Sequence, residues 1–207
     1  MSTKQTTKER ILDAACTIFA DKGFRDATVS EICEAANANI AAVNYYFDDK
    51  EKLYDEVWRH AFAITKETYP LDGKLPRTPS LEDCLYSYAH AILHRIFCEG
   101  EAGRFAKLLY REMAAPTLAL ERIAKEAIFP QNQFLGKAIQ QTLGATLNTE
   151  QRGLCMHSII GQCVFYNFGR PLRERLLGKK TVPENEIEQI ARHIATFSIG
   201  GLKEIQK

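Results

Sequence analysis

Apolar residues recur at helical spacing along almost the whole chain, and nowhere do they alternate with polar ones long enough to make a strand. Residues 7–22 put Ile11, Leu12, Ala15, Ile18 and Phe19 on one stripe. Gly23 follows where a helix end takes a left-handed residue, with Phe24 as its hydrophobic partner. Thr28 and Glu31 then stand as a T-x-x-E capping box, hydroxyl and carboxylate each satisfying a backbone N–H left open at a helix start. Val29, Ile32, Cys33 and Ala36 share the inner face of that helix, and Asn37 occupies a turn position that needs positive φ. Asn39 can cap a second short helix whose buried side is Val43, Tyr46 and Phe47. Two short helices joined by a tight turn are helix-turn-helix logic, which lays the second helix in a DNA major groove.

The pattern continues. Asp48 to Glu51 reads as another capping box, opening a helix that carries Leu53, Val57, Trp58 and Phe62 towards Tyr69, where Pro70 stops it. Residues 70–79, PLDGKLPRTP, read as a linker. The expected organisation is a DNA-binding domain over 1–52, a connecting helix over 53–69, and a C-terminal domain over 75–207. In that domain Ser80 to Asp83 caps a helix reaching about Phe97, and further helices run over roughly 102–114, 117–127 and 129–146. Another starts at Asn148, with Gln151 three residues on, and runs to about Asn167; Thr181, Pro183 and Glu184 begin the last. The predicted fold is all-α, with about nine to ten helices.

With 207 residues, 45% of them hydrophobic, the chain can bury a proper core. No apolar run approaches the length of a membrane span and MSTKQTTKER lacks a signal-peptide core, so the expectation is a soluble, cytoplasmic protein with no membrane partner. The six cysteines form no C-x-x-C pair and read as small buried hydrophobes. No G-x-S-x-G, P-loop, H-E-x-x-H or dinucleotide fingerprint is present, so no catalytic residue, cofactor or enzyme activity is expected. His90 and His94 lie at i, i+4, a metal-compatible spacing, but no third ligand stands nearby in the sequence and no metal is expected. Residues 1–60 hold eight Lys/Arg and eleven Asp/Glu, a balance of 8 − 11 = −3. DNA binding here has to rest on a few placed cations, helix N-termini and hydroxyls rather than on bulk attraction.

Residues 7–58 resemble the DNA-binding domain of TetR-family transcriptional regulators. The resemblance rests on I-L-D-A-A at 11–15, F-A-x-K-G-F at 19–24, T-V-x-x-I at the start of the second helix and Y-Y-F-x-x-K-E-x-L at 45–53. The C-terminal part is similar to the CecR-like subgroup, through REMAAPT at 111–117, SIIGQCVFY at 158–166 and Arg170–Pro171–Leu172. Asn37 and Ala38 depart from the glycine and larger aliphatic residue usual in this turn.

The resemblance implies base-reading side chains on the exposed face of the third helix: Asn39, Ile40, Ala41, Ala42, Asn44 and Tyr45. Asn44 offers the paired donor and acceptor that suit adenine N6/N7, and the alanines allow close approach and contact with thymine methyls. Asn39 has a competing role as a cap, and Tyr45 can either reach phosphate or pack inwards. Thr28 and Lys50 stand at phosphate-type positions; Lys4, Lys8 and Arg10 can add contacts from the N-terminal arm.

The family resemblance further implies a C-terminal domain that dimerises and senses a ligand. The last two long helices would pair with their symmetry mates as a four-helix bundle, through Ile159, Ile160, Cys163, Ile190, Ile194 and Phe197. Apolar residues on 148–167 cover more than one face, as a helix buried on two sides requires. Polar and aromatic residues within apolar helices mark candidates for an effector pocket: His90, His94, Phe97, Arg104, Phe105, Leu108, Arg111, His157, Gln162 and Tyr166. Each polar one reads more readily as a satisfied core or surface residue, and Phe97, Phe105 and Leu108 read equally as core or pocket lining, so the pocket rests on the resemblance. The expected partners are a double-stranded DNA operator, an unidentified small-molecule effector and a second copy of the chain. The function implied is a ligand-released repressor, with an activator or a helical adaptor as alternatives.

Overall fold

The computed structural model of the protein describes residues 5–143, 147–178 and 182–205. In chain order the helices are α1 (Thr7–Asp26), α2 (Val29–Ala35), α3 (Ile40–Phe47), α4 (Lys50–Thr68), α5 (Leu81–Phe97) and α6 (Arg104–Ala114). They continue with α7 (Ala119–Ile123), α8 (Phe129–Leu143), α9 (Thr149–Phe168), α10 (Arg170–Leu177) and α11 (Glu184–Ile205). A short tight turn, Glu101–Gly103, precedes α6, and a wide helical turn, Ala124–Ile128, joins α7 to α8. No strand occurs among the described residues, and none of their helices is long and apolar enough to cross a membrane. Helix α10 adds to the expected set, with Pro171 in its first turn and Gly178 closing it in the left-handed region at φ 66°.

The chain packs as two compact units, one made of Met1–Glu67 with Glu99–Lys125, the other of Thr68–Cys98 with Glu126–Lys207. It therefore passes between units near the expected linker, and twice more, after Cys98 and after Lys125.

The first unit begins with a capping box: Glu9 N–H donates to Thr6 Oγ1 at 3.3 Å and Thr6 N–H donates to Glu9 Oε2 at 2.7 Å. Ile11, Ala15, Cys16 and Phe19 form the buried stripe of α1, and Gly23 breaks the helix at φ 79° before it resumes to Asp26. Leu53, Tyr54, Val57 and Trp58 supply the facing surface of α4. Segment 99–125 is built into the same unit. Arg104 bridges to Asp13 at 2.6 Å, Arg122 donates to Asp55 at 3.0 Å, and the Phe105 ring meets Phe62 at 4.8 Å. Buried Glu112 accepts from the Tyr54 hydroxyl at 2.9 Å, and from the Thr117 N–H and hydroxyl at 3.0 Å each.

The expected box from Asp48 to Glu51 does not form. Asp48 adopts φ 66°, and Asp49 caps α4 instead, accepting from the Lys52 N–H at 2.8 Å. Two adjacent aspartates let the cap slide by one residue, and Asp48 then pairs with Lys52 Nζ at 2.6 Å.

In the second unit α5, α8, α9 and α11 enclose Leu85, Leu93, Leu135, Ile139, Cys163 and Ile194. The capping boxes Ser80–Asp83 and Asn148–Gln151 form as the sequence indicates. At the start of α11 the Pro183 carbonyl accepts from Glu186 and Ile187 N–H groups at 2.9 and 3.1 Å, while Thr181 lies outside the described residues. Arg95 is buried, donating to the Tyr69 carbonyl and, at 2.6 Å, to Gln131 Oε1. Loss of hydration lowers its pKa to about 10, which still leaves it charged at neutral pH.

Candidate nucleic-acid interface

Helix α2 is fixed at both ends. Glu31 N–H donates to Thr28 Oγ1 at 3.2 Å, and Thr28 N–H donates to Glu31 Oε2 at 3.0 Å. Lys22 reaches Glu31 from α1 at 2.5 Å, and together with the Thr28 bonds it holds the Glu31 carboxyl down at about 2. At the other end Arg10 Nε donates to the Ala36 carbonyl at 3.1 Å, so its guanidinium ties α1 to α2. That contact makes Arg10 a strut of the helix-turn-helix, in place of the free arm contact expected for it. Lys4 lies outside the described residues, and Lys8 sits 5.7 Å from the Phe47 ring centre.

Asn37 takes the expected positive φ, 47°, and Ala38 N–H closes the turn on the Cys33 carbonyl at 2.9 Å. Asn39 then caps α3, its Oδ1 accepting from the Ala42 N–H at 2.8 Å. Its acceptor is thereby engaged and its amide NH2 is the group that can turn to a base. Val43 and Phe47, four residues apart, anchor α3 in the core.

The opposite side of α3 is bare. Ile40 is 55% exposed and Tyr45 81%; Ala41 and Asn44 are exposed beside them, and Ala42 is half-buried. Ala41, Asn44 and Tyr45 follow i, i+3, i+4 spacing, so they form one surface that a groove floor can meet. Tyr46 departs from its expected inward position and is 40% exposed, its ring packed edge-on against Tyr45 at 5.0 Å. The line from Val43 to Phe47 already fills the inner face, which leaves Tyr46 on the flank. That spacing was available in the sequence. Lys50, half-buried, places its ammonium 4.5 Å from the Phe24 ring centre; burial lowers its pKa against the pull of Asp26.

The effector candidates divide between the two units. Arg104, Phe105, Leu108 and Arg111 belong to the first unit, where Arg104 pairs with Asp13 and Arg111 donates to the Asp21 carbonyl. His157 is exposed on α9. Gln162 donates to Ser198 Oγ at 3.2 Å and lines two grooves beside α9 and α11, of about 420 and 560 Å³. Tyr166 lines the larger, and Phe97 packs at the edge of the second unit's core. His90 and His94 are buried on α5 with their Nε2 atoms 3.2 Å apart. Burial is the first cause lowering both pKa values, with Lys74 adding to it; Glu184 and Glu188 oppose.

The dimer candidates all belong to the second unit and divide by burial. Ile159, Cys163 and Ile194 are 2%, 0% and 1% exposed and face their own unit's core, while Ile160 and Ile190, half-buried, keep part of their surface open. The apolar surface left open is Leu154, Val164, Phe165 and Phe168 on α9 with Phe197 and Ile205 on α11. Of the named set, Phe197 lies on this open surface, with Ile160 and Ile190 partly exposed.

Residues 11–57 match the family described as bacterial regulatory proteins of the tetR family. Residues 81–202 match the C-terminal domain of the HTH-type transcriptional dual regulator CecR. CecR of Shigella flexneri is 24% identical over 175 residues, covering 80% of this chain and 78% of that protein. The transcriptional repressor KstR2 of Rhodococcus jostii is 38% identical over 58 residues, 28% of each chain. Among solved structures, a TetR-like transcriptional regulator from Rhodococcus sp. RHA1 superposes with a TM-score of 0.68 at 15% identity, covering 97% of this chain and 100% of that one.

Proposed function

This chain belongs to the TetR family of bacterial transcriptional regulators, with a CecR-type C-terminal domain, and we propose that it acts as a homodimeric repressor of a palindromic operator. The observation that carries the reading is the bare face of α3, whose Ile40, Ala41, Asn44 and Tyr45 point away from a core pinned by Val43 and Phe47. Asn44 reads a base edge, the alanines admit the helix to the groove, and the N-terminus of α2 at Thr28 receives a phosphate. Asn39, Ala42 and Lys50 act mainly by holding α3 and α4 in place.

The open apolar face of α9 and α11 is the surface for a second copy, which would set two α3 helices to read two half-sites. A small molecule seated in the groove of about 560 Å³ beside Gln162 and Tyr166 would alter that packing, and with it the half-site spacing. The dual-regulator description of the Shigella relative supports activation at some promoters as a second reading.

Footprinting over genomic fragments, including the upstream region of its own gene, tests the operator. Asn44→Ala removes a contact worth about 1–3 kcal/mol, so specific binding should weaken about tenfold or more and preference should relax at one base pair per half-site. Unchanged affinity and preference would remove Asn44 from the reading set; sequence-independent binding throughout would end the operator model.

A further inference from the structure

We propose that His90, His94 and Glu184 form a binding site for a divalent transition-metal ion of the zinc type, clasping α5 to the first residue of α11. Their ligating atoms all lie within 4.8 Å of one another. His94 Nε2 is 3.2 Å from His90 Nε2 and 3.1 Å from Glu184 Oε1, and His90 Nε2 is 3.9 Å from the same oxygen. Around a tetrahedral ion with bonds of about 2.05 Å, ligand atoms stand about 3.3 Å apart. The three observed separations bracket that value, so an ion fits among these atoms with small side-chain adjustments.

The same geometry is poorly served by hydrogen bonds alone. A single proton on His94 Nε2 has to be shared between Glu184 Oε1 at 3.1 Å and the His90 Nε2 lone pair at 3.2 Å. A metal ion takes the lone pairs of all three atoms together. Buried neutral rings are the form that ligates, and here they are also held in orientation: Tyr69 stacks on His94 at 5.0 Å and Tyr86 lies against His90 at 5.6 Å. Glu184, with its side chain 66% exposed, is the solvent-side ligand through which the ion arrives. Glu188, one turn further along α11, adds negative field to both rings. Two imidazoles and one carboxylate select zinc, nickel or copper over magnesium or calcium, and leave a fourth position for water.

The site goes beyond the regulator reading and does not depend on it, because the test uses the protein alone. The full chain, stripped with a chelator, is titrated with Zn²⁺ against a chromophoric competitor and separately with Co²⁺. The expected result is one ion per chain, a visible Co²⁺ spectrum of four-coordinate type, and a melting temperature raised by Zn²⁺. Glu184→Gln, a substitution at an exposed position, should keep the fold by circular dichroism and weaken Zn²⁺ binding about tenfold or more. His94→Gln should abolish it. Three results would overturn the proposal: no stoichiometric binding, unchanged affinity in Glu184→Gln, or a thiolate-to-cobalt charge-transfer band placing the ion on cysteines.

Discussion

Replacing Glu112 by alanine should destabilise the first unit by about 3–5 kcal/mol. The carboxylate is 1% exposed and accepts from Tyr54, itself 1% exposed, and from Thr117. Alanine leaves the Tyr54 hydroxyl buried without its acceptor, a cost of about 1–3 kcal/mol. Thr117 is half-buried and can recover part of its loss from water. The removed side-chain carbons add about 0.8 kcal/mol per methylene. Glu112→Gln, which retains one acceptor oxygen, should cost roughly half as much. The chain supplies a local probe, because its one tryptophan, Trp58, is buried inside this unit. Urea unfolding followed by Trp58 fluorescence should show the midpoint falling by about 1 M or more, given slopes of about 1–3 kcal/mol/M. A double-mutant cycle with Tyr54→Phe then isolates the pair, with an expected coupling of about 1–2 kcal/mol. A midpoint that barely moves, or a cycle that closes additively, would refute the claim that this bond fastens 99–125 to α4.

Two further outcomes follow from the same structure. The depressed Glu31 carboxyl contributes stability that is complete above its unfolded pKa, near 4.5, and lost as pH falls through about 2. Melting temperature against pH should therefore decline over that interval, and Glu31→Gln should flatten the decline; an unchanged slope would mean that the Lys22–Glu31–Thr28 contacts contribute little. Phe197→Glu or Phe165→Asp, both at exposed apolar positions, should shift light-scattering mass towards the monomer with helicity intact. A dimer that survives both would place the interface elsewhere.

What could be read from sequence was what depends on neighbours a few residues apart. Boxes at Thr28–Glu31, Ser80–Asp83 and Asn148–Gln151 formed as spaced, and Asn37 took its positive φ. Thr6–Glu9 carries the same signature and could have been read equally well. Asp48–Asp49 defeated the pattern because two equivalent caps compete and tertiary packing chooses between them. The bonds Asp13–Arg104 and Tyr54–Glu112 join residues 91 and 58 apart, and no periodicity announces them. That is why Arg104 and Phe105 looked like pocket candidates. The third ligand for the histidine pair was hidden in the same way, on a helix that begins 90 positions after His94. On α9 the apolar excess was visible, but the choice of inner and outer faces waits on which residues α5 and α11 claim.

The interleaved chain course limits how this regulator can be recombined. A designer who grafts residues 1–67 onto another sensing domain would leave Asp13, Tyr54 and Asp55 without the partners that Arg104, Glu112 and Arg122 provide. The transferable reading head is discontinuous. It must travel with residues 99–125, and an exchange point drawn at the proline-rich linker would cut through a single folding unit.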